Sequence, residues 1–235
     1  MTFSLEQLGD CALLIQLGER LDAATNARAL AIAAHVQQAH LPGVIDVASA
    51  YASVCVRYEP LLWNDSSGEP PQARIARALS ALIQGLSAPA PADRADHDVI
   101  EVPVCYDGEF GPDLRDVATA TELDAATVVA RHSGATYRVA MLGFAPGFPY
   151  LLGLDPILHM SRRANPRTRV PAGSVAIGGA QTGIYPRELP GGWHLIGRTP
   201  LRLFDAERNS PALFAPGQGV RFRTIDVREF AALSR

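Results

Sequence analysis

Seven arginines lie between residues 160 and 203: Arg162, Arg163, Arg167, Arg169, Arg187, Arg198 and Arg202. The only carboxylate in that span is Glu188. So biased a stretch attracts anions, and the planar guanidinium fork suits a carboxylate or a phosphate. A solvated basic surface, or a face paired with an acidic partner, is the competing reading. The same region holds AGSVAIGGAQTGIYP (172–186), which sets backbone donors around Gly173 beside Ser174, Gln181, Thr182 and Tyr185. Such a segment can orient a small polar ligand, although a Gly-Gly pair also marks a plain hairpin turn. PGGWHLIGRTP (190–200) adds Gly192 and Trp193, with core packing the favoured reading of the indole. Upstream, MLGFAPGFPYLLGL (141–154) concentrates glycine, proline and aromatics; Phe144 and Gly147 read as a rigid pocket lip or a tight barrel corner. Of six histidines, His132 stands out: it ends a helical stretch, where it can cap the helix by charge or serve as a general acid–base.

Absences narrow the chemistry. The 235 residues contain no lysine, so a Walker-type phosphate loop, a Schiff base and a lysine general base are all excluded. A net charge of −3 argues against nucleic acid as a partner. No apolar run reaches the ~20 residues of a membrane span, and MTFSLEQLGD lacks the basic flank of a signal peptide. Cys11, Cys55 and Cys105 are sparse and odd in number, which suits a reducing cytoplasm with each thiol a buried apolar group. No Cys or His pair has zinc spacing, so no metal site is expected. No serine elbow or spaced Ser/His/Asp set is found.

The elements that must position these residues fall into two groups. ALLIQL (12–17) reads as a buried strand and 22–40 as a helix capped by Asp22, with Leu30, Ala34 and Val36 on its apolar face. YASVCVRYE (51–59) alternates like a strand, and a second helix starts at Pro71 with Ile75, Ala78, Leu79, Leu82, Ile83 and Leu86 at helical spacing. That order predicts a small α/β sandwich of the split βαβ type over 1–88. Residues 85–98 read as a linker, rich in proline, alanine and charge. A second domain over 99–235 opens with a strand at 99–107, then helices near 113–119 and 124–132, the latter capped by Thr121 or Asp124. A strand at 137–144 follows. Beyond it helical periodicity disappears, and SVAIGG, WHLIG, LRLF and VRFRTI are separated by Gly/Pro turns, the pattern of a barrel of short strands. IDVREFAALSR predicts a closing helix. The fold class is α+β.

Three long stretches carry a family resemblance: HSGATYRVAMLGFAPGFPYLLGLDP, NPRTRVPAGSVAIGGAQTGIYP and PGGWHLIGRTPLRLFD. They resemble the B subunit of the bacterial ATP-dependent 5-oxoprolinase, a family that includes the kinase inhibitor KipI and older allophanate hydrolase subunit 1 names. They are also similar to the C–D part of the urea carboxylase carboxyltransferase domain. The resemblance implies an α+β N-terminal domain and a cyclophilin-like β-barrel C-terminal domain. It implies two partners within 5-oxoprolinase, the KipA-like C subunit and the LamB/YcsF-like A subunit. It also implies 5-oxoproline as substrate and ATP bound largely by a partner; no biotin attachment site is seen. On that resemblance His132, Gln181, Tyr185 and Arg198 are candidate catalytic residues. Phe144, Gly147, Arg167, Arg169, Gly173, Ser174, Thr182, Gly192 and Trp193 are candidate substrate or anion contacts. Inhibition of a sensor histidine kinase, and a carboxyltransferase half acting on a urea- or allophanate-like substrate, remain as alternatives. Ser161 and Gln218 depart from the family pattern, which usually has proline and aspartate there.

Overall fold

A computed structural model of the chain describes residues 2–19, 22–66, 68–86 and 99–234. The chain divides into two compact units, Met1–Asp93 and Arg94–Arg235. Residues 87–98, most of the expected linker, lie outside the described residues.

In the first unit β1 (Ser4–Gln7), β2 (Ala12–Gln16), β3 (Val44–Ser49) and β4 (Ser53–Tyr58) form a sheet of order β1-β2-β4-β3. Each neighbouring pair is antiparallel, so β2 and β3 run parallel with β4 between them. The helix α1 (Ala23–Gln38) crosses from one to the other, which is the split βαβ arrangement. Asp22 starts α1 by accepting the Thr25 N–H (2.7 Å), satisfying one of the amides a helix start leaves open. The buried face of α1 is Ala29, Ile32, Ala33 and Val36; Ala34, expected there, is exposed. The helix α2 (Pro71–Gln84) buries Ile75, Leu79 and Ile83 in the same core as Leu13, Ile15, Val54 and Val56. Cys11 is exposed and Cys55 partly so, contrary to the expectation of buried thiols, and Cys105 alone is fully enclosed.

The second unit contains β5 (Val99–Cys105), α3 (Leu114–Ala120), α4 (Ala125–Gly134), β6 (Thr136–Leu142), β7 (Pro149–Leu152), β8 (Arg167–Val170), β9 (Ser174–Gly178), β10 (Gln181–Ile184), β11 (Leu189–Gly191), β12 (His194–Arg198), β13 (Gly219–Ile225) and α5 (Val227–Leu233). Seven of these strands close a barrel in the order β10-β7-β6-β13-β5-β12-β9, with β9 paired to β10. Only β5 and β13 pair in parallel, from Gly219 opposite Val99 to Ile225 opposite Cys105, among the described barrel strands. Asp124, not Thr121, caps α4 by accepting the Thr127 N–H (2.6 Å). LRLF, expected as a strand, makes only an isolated bridge from Phe204 to Ala212.

Strand alternation sorts the barrel's side chains into two cores. Val102, Val104, Tyr137, Val139, Val175, Ile177, Ile196 and Phe222 pack with Val117 and Val128 of the helices. Ala176 and Leu195, the intervening positions, pack instead with Phe148, Val170, Tyr185 and Trp193. Val170 of β8 and Leu189 of β11 belong to that second cluster, so the separate β8–β11 ribbon covers it. All five residues of β9 are therefore buried, as expected of a strand enclosed on both faces.

Candidate functional site

The GFAPGF segment links β6 to β7 through two successive tight turns. Ala145 N–H bonds to Gly143 C=O (2.7 Å) around Phe144, whose φ is +65°, which makes a γ-turn of the uncommon, strained kind. Phe148 N–H then bonds to Ala145 C=O (3.0 Å) across Pro146-Gly147, where Pro supplies the fixed φ and Gly147 the positive one (+81°). A phenylalanine in the left-handed region costs about 1–3 kcal/mol unless the surroundings enforce it. Here the turn leaves the Phe144 ring 59% exposed, edge-on to Phe148 (5.4 Å) and Tyr185 (6.2 Å).

Below that ring lies a run of edge-to-face aromatics. Phe148 meets Tyr185 at 5.2 Å and Trp193 at 5.8 Å, and Trp193 meets Tyr150 at 5.8 Å. Such pairs contribute beyond simple area burial and fix ring orientation. Trp193 lies flat on Gly178, where a Cβ would sit 2.6 Å from the indole, so this wall requires glycine in β9. Burial pushes the Tyr185 hydroxyl up, with the Trp193 backbone N–H and the charges of Arg162 and Arg167 opposing it. Burial likewise raises the half-buried Tyr150, against the nearby charge of Arg162.

Beside the aromatics sits a charged cluster built on Asp113, which precedes α3. Arg167 donates to both carboxylate oxygens (2.8 and 2.7 Å), Arg163 to Oδ1 (2.8 Å) and the Leu195 N–H to Oδ2 (2.7 Å). Asp113 is 2% exposed. Burial drives its carboxyl up, but the Arg167 fork, the Leu195 amide and Arg163 outweigh that and hold it below its ordinary value. Arg167, expected as an anion contact, meets the Asp113 carboxylate through both terminal nitrogens. Asp113 lies outside the arginine-rich window, so local composition concealed it.

The barrel core holds a second polar constellation. His132, in the last turn of α4, is fully buried, with Nδ1 2.8 Å from Tyr106 Oη and Nε2 3.0 Å from Thr182 Oγ1. Thr182 donates its hydroxyl proton to Ala176 C=O (3.0 Å), so Oγ1 accepts from His132 Nε2–H, and Nδ1 accepts from Tyr106. Phe222 stacks on the ring at 4.6 Å. Burial lowers the imidazole pKa to about 3. His132 is thus a neutral core residue. It neither caps α4 by charge nor reaches solvent as an acid–base, and Thr182 is its partner rather than a ligand contact.

The other expected residues are dispersed. Gln181 is half-buried at the start of β10, and the Arg198 guanidinium lies 5.6 Å from the Phe110 ring. Arg169 is exposed, with Glu188 at 3.5 Å. Ser174 is buried in β9, and Gly173 packs its α-carbon against Thr199 C=O. Gly192 accepts the Arg163 N–H (2.7 Å). Gln218 is a turn residue whose side chain accepts the Ala215 N–H (3.0 Å), and Ser161 C=O lies 3.0 Å from His194 Nε2. The structure therefore brings together Phe144, Gly147, Tyr185, Trp193, Gly192 and Arg167. Tyr150, Asp113 and Arg163 join them; Tyr150 and Arg163 were legible as an aromatic and an arginine within the singled-out stretches.

Residues 3–214 match the family model of the carboxyltransferase domain, subdomain C and D. The chain is 37% identical to the 5-oxoprolinase B subunit of Bacillus subtilis (strain 168), across 98% of this chain and 96% of that protein. It is 57% identical to the 5-oxoprolinase B subunit of Escherichia coli O157:H7 over 123 residues, 52% of this chain and 56% of that one. The crystal structure of TTHA0988 superposes with a TM-score of 0.76 at 38% identity, over 92% of this chain and 40% of that one. The Kluyveromyces lactis urea carboxylase gives 0.77 at 21% identity over 98% of this chain and 22% of its own, a likeness of fold. The chain belongs to the carboxyltransferase subdomain C and D family. Its relatives within that family include proteins named as the B subunit of 5-oxoprolinase.

Proposed function

We propose that the chain is the B subunit of an ATP-dependent 5-oxoprolinase, acting with the A and C subunits to open 5-oxo-L-proline to L-glutamate. The observation that carries this reading is the end-to-end match to the Bacillus subtilis protein, which spans both units of the chain. A five-membered lactam is a poor electrophile. Transfer of a phosphoryl group from ATP to the amide oxygen, with ADP released, activates the carbon; water adds there, the ring C–N bond breaks with a proton to nitrogen to leave an acyl phosphate, and a second water hydrolyses that to glutamate and phosphate. A site for this must hold the substrate carboxylate and the nucleotide phosphates and admit the reacting water to the activated carbon. The aromatic wall under Phe144 is suited to one flat face of a small ring. Tyr185 belongs to that wall, and Gln181 opens the strand that leads to it, so both are candidates to orient polar groups. The Asp113 cluster offers one net positive charge, two guanidinium groups against one carboxylate. That fits one oxyanion better than a triphosphate, which leaves most of the ATP contacts to the other subunits.

An omission assay tests the reading. Glutamate formed from 5-oxoproline and ATP is measured with the A and C subunits present, with and without this chain. Activity that needs the chain supports the proposal. Equal activity without it, or none from an associated three-part mixture, overturns it.

A further inference from the structure

The two arginines on Asp113 are unequal. Arg167 spends both terminal nitrogens on the carboxylate. Arg163 spends one: Nη1 reaches Oδ1 at 2.8 Å, while Nε is buried with no acceptor and Nη2 makes no hydrogen bond among the described residues. The Nε–Nη2 edge of a guanidinium is a two-donor fork of the kind that grips a carboxylate or phosphate. An unmatched buried N–H is costly, roughly 1–3 kcal/mol, and an arriving oxyanion recovers that cost. Position agrees with the chemistry. The Arg163 backbone N–H bonds to Gly192 C=O, beside Trp193, and its side chain is 27% exposed and shares Asp113 with Arg167, whose charge acts on Tyr185, so the guanidinium does not stand in a sealed core. Asp113, nearly buried and held by four hydrogen bonds from three residues, fixes where that guanidinium stands.

We propose that Arg163 receives an oxyanion of the bound ligand, and that Asp113 is the positioning residue that presents it. This rests on the oxoprolinase reading for the ligand's identity: the oxyanion is the lactam carboxylate or a nucleotide phosphate. The expectation that Arg167 takes this role is replaced by Arg163, since Arg167 acts through Asp113.

The test has two arms. In the assembled enzyme, Arg163→Gln raises the KM for its own ligand roughly ten- to a hundredfold, the loss of a charge-assisted contact. A rise confined to 5-oxoproline identifies the carboxylate, and one confined to ATP identifies the phosphate. Arg163→Lys, which keeps the charge without the fork, restores part of the KM, and Asp113→Asn moves the same KM as Arg163→Gln. Arg228→Gln, a charge removal on exposed α5, changes neither. In the second arm the purified chain alone is titrated with 5-oxoproline and with inorganic phosphate, and its tryptophan fluorescence is followed. A response lost in Arg163→Gln but kept in Arg228→Gln supports the site even if the three-part mixture is inert. An unaltered KM in an active Arg163→Gln enzyme overturns it, as does a wild-type fluorescence response unchanged in that variant or absent for both anions. Failure of the oxoprolinase reading shows instead as wild-type assemblies that form no glutamate.

Discussion

The two buried polar constellations of the barrel unit follow opposite designs. Around His132 every ring nitrogen has a partner, the partners are neutral, and the set is sealed beneath Phe222. Around Asp113 the groups are charged, the positive side outnumbers the negative, and Arg163 Nε has no acceptor among the described residues. A fully satisfied neutral network fixes the packing of helix α4 against strands β9 and β10 and has nothing left to offer a ligand. An incompletely satisfied charged one is costly to the fold, and its remaining donors are available for recognition. The contrast separates a polar cluster that builds the barrel from one that equips it.

The sharpest way to break the comparison is Asp113→Ala. Two half-buried guanidinium groups and the Leu195 N–H lose their common acceptor, and a loss of about 3–5 kcal/mol is expected, read by urea unfolding. A loss below about 1 kcal/mol would mean that water replaces the carboxylate and that the cluster is a surface feature. Thr182→Val removes a hydroxyl of similar shape from the neutral network and leaves His132 Nε2–H unmatched, at a cost of about 1–3 kcal/mol by the same measurement.

Acid sharpens the contrast further. The unfolded chain protonates histidine near pH 6.5, whereas native His132 stays neutral down to about 3. Unfolded protein therefore binds the extra proton in that window, so stability falls as pH drops from 6.5 towards 3, by roughly 1 kcal/mol per unit from this group. In His132→Asn that contribution to the slope is absent, which comparative unfolding at pH 7 and pH 5 would show. The smallest expected effect is at the lip. Phe144→Asn places a residue tolerant of positive φ in the γ-turn, so stability is unchanged or rises by up to about 1 kcal/mol. Activity of the assembled enzyme falls in the same variant if the exposed ring serves a ligand. A marked loss of stability would show that Phe144 is a packing residue instead.

Much of the architecture was readable in the chain because its signals are local. Asp22 and Asp124 cap helices through an amide three residues away, Pro71 opens a helix, and Pro146-Gly147 dictates its turn whatever surrounds it. LRLF misled because an apolar alternating tetrapeptide forms a strand only where a neighbouring edge is free to pair, and here just Phe204 finds one. The aromatic half of the site was easier to read, since its residues fall in three short glycine-rich stretches. In the charged half the arginines were legible, but Asp113 was not.

By itself the sequence determined the two-part organisation, the split βαβ unit and the family, all of which rest on short-range patterns or long motifs. Only the tertiary structure decided which charges remain. Asp113 reaches Arg163 and Arg167 across 50 and 54 residues of chain, and no composition window joins them. It also decided that His132 is neutral, because the loss of water that lowers its pKa is a property of the closed barrel and not of the helix that carries it.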